Sequence, residues 1–98
     1  MKMIVNFYAT LRQVVGRRQA EFEFEEGQTL RELVRSMIEK YPDLGPAMLD
    51  ENGNLSDHIH IFVNGRDSTL LPDKLDSVLS PDDVISIFPP VGGGRQSA

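Results

Sequence analysis

One amphipathic helix in a chain of 98 residues is the feature that most limits what this sequence can fold into. Leu30, Leu33, Val34, Met37 and Ile38 recur at three- and four-residue spacing and form a single apolar stripe, with Arg31, Glu32, Arg35, Glu39 and Lys40 on the other side. Thr29 followed three positions later by Glu32 is the capping-box pattern that satisfies two free N–H groups at a helix start. Pro42 stops the helix near Tyr41, because the residue before a proline is pushed out of helical conformation. A lone stripe of this kind is stable only when something covers it, and the segments around it read as strands.

Residues 3–8 read as a largely buried strand, with Met3, Val5 and Phe7 alternating against Ile4, Asn6 and Tyr8. Leu11 to Arg18 read as a turn around Gly16, after which residues 20–25 alternate Phe inward and Glu outward, completing a hairpin. Residues 43–57 form an excursion, in which Gly45-Pro46 opens a short helical turn through Met48 and Leu49, and Glu51-Asn52-Gly53-Asn54 is a turn. Residues 58–63 form a strand with Ile59, Ile61 and Val63 on one face, closed by the tight-turn pair Asn64-Gly65. A loop carrying Leu70, Leu71, Leu75 and Val78 follows, and Ser80-Pro81-Asp82-Asp83 turns the chain into a last strand over residues 84–88, with Ile85 and Ile87 on one face. The order strand, strand, helix, strand, strand predicts an α+β fold of the β-grasp, ubiquitin-like kind, a mixed sheet with one main helix packed on one face. Period-two alternation then puts His60, Phe62, Ser86 and Phe88 on the opposite face. Aromatic residues on an open sheet face mark a partner-binding surface; the alternative is a small second core beneath residues 43–57.

Composition removes several classes of function. Ten basic against fifteen acidic side chains give a net charge of -5, which disfavours nucleic acid as a partner. With no cysteine there is no disulfide framework, thiolate metal site or cysteine nucleophile. His58 and His60 share a strand face but have no third ligand, so no metal site is expected. Asp82 and Asp83 are adjacent, face different ways and serve a turn rather than acid/base work. Neither a signal peptide nor a membrane span is legible, so a cytoplasmic protein without membrane association is expected.

The far end of the chain is Pro89-Pro90-Val91-Gly92-Gly93-Gly94, followed by Arg95-Gln96-Ser97-Ala98. Two prolines hold an extended conformation, and glycines let a backbone enter a channel too narrow for side chains, so residues 89–94 read as a thread for a partner's active site. Phe62-Val63-Asn64-Gly65-Arg66, Asp82-Asp83-Val84 and the Phe88 to Gly94 run together resemble the ubiquitin-like sulfur-carrier family, which includes the small subunit of molybdopterin synthase and the thiamine sulfur carrier. Phe7-Tyr8-Ala9-Thr10-Leu11-Arg12 resembles that family's first strand and turn. The resemblance covers nearly the whole chain and favours the molybdopterin-type carriers and small protein modifiers over the shorter thiamine carriers.

The resemblance implies a protein without catalytic side chains or bound cofactor. A ubiquitin-activating-like adenylating enzyme would use ATP to activate the carboxylate of Gly94, which then either becomes a thiocarboxylate that donates sulfur to molybdopterin synthesis or is joined to a lysine of another protein. The large subunit of molybdopterin synthase is an implied partner. Because an amide to Arg95 blocks adenylation, residues 1–94 are expected to act as one domain after a protease removes residues 95–98. A ubiquitin-like interaction module that never exposes a glycine carboxylate remains the reading from a different class.

Overall fold

The computed structural model describes residues 1–89. A five-stranded mixed sheet is formed by β1 (Lys2–Phe7), β2 (Gln19–Glu23), β3 (His60–Val63), β4 (Arg66–Asp67) and β5 (Ile85–Phe88), in the order β2-β1-β5-β3-β4. All neighbours are antiparallel except β1 and β5, which run parallel with Val5 opposite Ile85 and Phe7 opposite Ile87. The first and last strands thus lie side by side at the centre of the sheet.

The long helix, α2 (Leu30–Lys40), starts as the sequence predicts. The Thr29 N–H donates to Glu32 Oε1 at 2.9 Å, and the Glu32 N–H returns to Thr29 Oγ1 at 3.2 Å. Leu30, Leu33 and Met37 are completely buried against Met3, Val5 and Phe7 of β1 and Ile85 and Ile87 of β5, in one continuous core. Burying several such side chains stabilises the fold by about 1.5–3 kcal/mol each, which is the force that fixes the helix across the sheet.

Five expectations are corrected. The span from Leu11 to Arg18 is mostly helix, not turn: α1 (Ala9–Val15) buries Leu11 and ends on Gly16, whose φ of 87° supplies the left-handed cap. The third strand starts at His60, because the His58 N–H donates to Ser56 Oγ and the Ile59 N–H to Ser56 O, holding residues 56–59 in a turn. The final strand begins at Ile85, and a two-residue strand, β4, adds an edge absent from the predicted order. The first strand is buried on one face only, since Ile4 is 45% exposed.

The excursion forms the short helix α3 (Leu44–Met48), with Leu44 and Met48 fully buried in the same core as α2. It lies in the helix layer, so it does not cover the opposite face of the sheet. Lys40, at the end of α2, reaches strand β2 at the sheet edge and donates from Nζ to Glu21 O at 2.6 Å, with its ammonium 5.1 Å from the Phe22 ring centre.

Candidate functional site

Strand register builds the open face. β1 turns Lys2, Ile4 and Asn6 to this side, with Tyr8 continuing their alternation, while β3 and β5 present His60, Phe62, Ser86 and Phe88. His60 stands opposite Phe88, and Ser86 lies between Asn6 on one neighbour and Phe62 on the other. The four residues predicted to share a face therefore do so. His60 is exposed, whereas Phe62, Ser86 and Phe88 are half-buried.

Their burial has a cause that sequence reasoning missed. Tyr8 stacks on Phe88 with ring centres 4.3 Å apart and 12° between planes, and Phe62 meets the other side of Phe88 edge-on at 5.4 Å. Such contacts add about 0.5–1.5 kcal/mol per pair beyond burial itself. The Tyr8 N–H donates to Ile87 O at 3.2 Å, so the parallel pairing brings Tyr8 beside the end of β5. Arg12, one turn into α1, places its guanidinium 5.6 Å from the Tyr8 ring centre and donates from Nε to Phe7 O at 3.1 Å. The result is a ladder Arg12, Tyr8, Phe88, Phe62 across the sheet. Ile4 and Val84, 45% and 52% exposed, extend its apolar surface along β1 and just ahead of β5.

A second set of bonds fixes where β5 begins. Asn64 and Gly65 both have positive φ, 54° and 82°, as a two-residue hairpin turn requires. Asn64 Nδ2 donates to Asp83 Oδ1 at 2.9 Å, the Val84 N–H donates to Asn64 Oδ1 at 2.9 Å, and the Ser80 N–H donates to Asp83 Oδ2 at 2.8 Å. The side chains that carried the resemblance thus clamp the β3–β4 hairpin to the strand that leads to the thread.

Pro89, the first thread residue, is buried at the end of β5. Pro90, Val91, Gly92, Gly93 and Gly94 lie outside the described residues, as do residues 95–98. His58 and His60 are both exposed, and with His58 off the strand they do not form a facing pair. No group of three or more His, Asp or Glu side chains is placed to hold a metal ion among the described residues. Asp67 sits beside Phe62 in the β3–β4 register. The Thr69 backbone N–H and then the Thr69 hydroxyl, both donating to its carboxylate, hold Asp67 below the usual aspartate range.

A cleft of about 650 Å³ adjoins the ladder, lined by Asn6, Phe7, Tyr8, Arg12, Arg18 and Gln19. Two of its lining side chains are joined by a bond from Gln19 Nε2 to Asn6 Oδ1 at 2.8 Å.

Residues 5–94 match the ThiS family. The chain belongs to the ThiS family. Small archaeal modifier protein 3 of Haloferax volcanii is 32% identical over 94 residues, covering 96% of this chain and all of the relative. The crystal structure of small archaeal modifier protein 1 from the same organism superposes with a TM-score of 0.84 at 26% identity, covering 96% of this chain and all of the other. A putative molybdopterin converting factor subunit 1 from Pyrococcus furiosus gives a TM-score of 0.71 at 28% identity, with 93% of this chain and 99% of that one covered. The β-grasp expectation therefore holds for this ThiS-family chain, with strand β4 and helix α1 added to the predicted frame. Among the described residues, no helix is long and apolar enough to cross a membrane.

Proposed function

We propose that this ThiS-family protein is a sulfur carrier of the molybdopterin-converting type, activated at the carboxylate of Gly94 once residues 95–98 are removed. The observation that carries this reading is the family match, which runs through residue 94 and leaves the last four residues outside it. In this mechanism a ubiquitin-activating-like enzyme joins a Gly94 carboxylate oxygen to the α-phosphorus of ATP and releases pyrophosphate. Hydrosulfide attacks the adenylated carbonyl and displaces AMP, leaving a thiocarboxylate that donates sulfur to cofactor synthesis. This chain's own residues bind and orient. The aromatic ladder and Ile4 and Val84 dock the sheet on the enzyme, and the Asn64–Asp83 clamp holds the start of β5, the strand that ends at buried Pro89. ATP belongs to the partner, and the large subunit of a molybdopterin synthase is the acceptor that this reading names.

Likeness to the small archaeal modifier proteins favours a second use of the same terminus, linkage to a lysine of another protein as a ubiquitin-like modifier. Both uses need a free Gly94 carboxylate. The test is the intact mass of the protein isolated from its own cells, with fragmentation of the C-terminal end. A chain ending at Gly94 with one oxygen replaced by sulfur is the result expected of the carrier. A ladder of larger species joined through Gly94 supports the modifier. Every molecule still ending at Ala98 overturns both and leaves an interaction module.

A further inference from the structure

We infer that the cleft beside Tyr8 seats a carboxylate side chain of the protein that docks the open face, held by Arg12 and Arg18. This deepens the docking reading above and rests on it. The charge layout supports it first. No acidic residue occurs before Glu21, although the whole chain carries -5, and Arg12, Arg17 and Arg18 fall within one short stretch at the end of the sheet where the thread leaves. Strand β2 then runs toward Glu21, Glu23, Glu25 and Glu26 at its other end. An acidic partner surface is therefore attracted to one end of this edge and repelled from the other, which sets the rotational sense of docking as well as its rate.

Local geometry leaves two guanidinium groups open to a carboxylate. Arg12 uses Nε on Phe7 O and its face on Tyr8, and its terminal nitrogens bond no other described residue. Arg18 is exposed and forms no ion pair among the described residues. Two backbone N–H groups along the cleft are committed: Phe7 donates to Arg18 O at 2.8 Å and Tyr8 to Ile87 O. A guanidinium fork matches a carboxylate through two parallel bonds, and a docking protein carries that group on its Asp and Glu side chains. Continuity with the ladder through Tyr8 means that a protein covering Phe88 also covers the cleft, removing water and strengthening the charged bonds there.

The test measures association of the full chain with the purified ubiquitin-activating-like adenylating enzyme of the same organism, across salt concentrations, after circular dichroism has shown each variant folded. Arg18→Glu is expected to slow association about ten-fold near 50 mM salt and to lose most of that effect near 0.5 M. Arg17→Glu makes the same charge change one residue away from the cleft and is expected to cost no more than about two- to three-fold. Arg12→Lys keeps the charge but not the fork, and is expected to speed dissociation about ten-fold. Equal effects of Arg17→Glu and Arg18→Glu overturn the seat, as does saturable binding of inorganic phosphate to the free protein that Arg18→Glu abolishes. Loss of binding in Phe88→Asp with none in Arg18→Glu or Arg12→Lys refutes the seat alone. No loss in Phe88→Asp refutes the docking reading beneath it.

Discussion

Replacing Asn64 separates what its side chain bonds contribute from what its backbone conformation contributes. The side chain makes two hydrogen bonds, to Asp83 and from Val84, on an exposed turn, so each is worth about 0.5–1 kcal/mol. Its φ of 54° adds a second cost for any residue less tolerant of the left-handed region, about 1 kcal/mol for alanine. Asn64→Ala is therefore expected to lose about 2–3 kcal/mol and Asn64→Gly about 1–2, because glycine keeps the turn and forfeits only the bonds. For a domain of this size the urea midpoint falls by about 1–2 M for Asn64→Ala, with the slope of the transition unchanged. A double-mutant cycle with Asp83→Ala should give a coupling of at least about 0.5 kcal/mol, since the two residues share one bond. Equal stabilities for Asn64→Gly and the native chain would refute the clamp, leaving only the turn conformation to explain the pair Asn64-Gly65.

Three further outcomes follow from the same geometry. A Tyr8→Ala and Phe88→Ala cycle should return a coupling of about 0.5–1.5 kcal/mol by denaturant unfolding, and a value near zero would mean that the stacked rings are packed independently. Asp67 titrates below an ordinary aspartate in the folded chain, so its contribution to stability is full above the unfolded value and disappears as pH falls through the folded one. Carboxyl NMR should show that low titration, and Thr69→Val, which removes the hydroxyl donor but keeps the backbone donor, should move it part of the way back up. Lys40→Ala uncovers the Glu21 carbonyl on the edge strand and should cost about 1 kcal/mol and promote strand-to-strand association at high concentration, read by sedimentation.

The parts of this molecule that were legible in advance are those whose signals are local. The Thr29 and Glu32 pair, the stripe of α2 and the Phe and Glu alternation of β2 each depend on neighbours a few residues away, and each has the predicted form. Helix α1 escaped because its start carries no side-chain cap and it is only seven residues long with a single buried residue, leaving Gly16 as the strongest signal in the segment. Strand β4 is too short to show any alternation. At the candidate site, the shared face of His60, Phe62, Ser86 and Phe88 was readable from period two. The ladder was not, because it depends on Tyr8 reaching Phe88 through strand order, which alternation does not encode. The same holds for the cleft, whose lining joins the end of β1, helix α1 and the start of β2.

The parallel pairing of β1 with β5 has a consequence for when the protein becomes usable. Val5 and Ile85 are neighbours in the sheet but lie at opposite ends of the chain, so their contact closes nearly the whole polypeptide into one loop. Contacts of that span form late and slow folding, since the entropy of closure is paid before the contact returns anything. The segment that leads into the thread is thus seated between β1, distant in the chain, and β3, so its place in the sheet depends on the folded core that joins them. A truncated or misfolded copy lacks the seat for β5 and has no ordered ladder to offer. Under the proposed function, a misfolded copy would present its glycines without the ordered surface that a partner reads, so folding would gate activation.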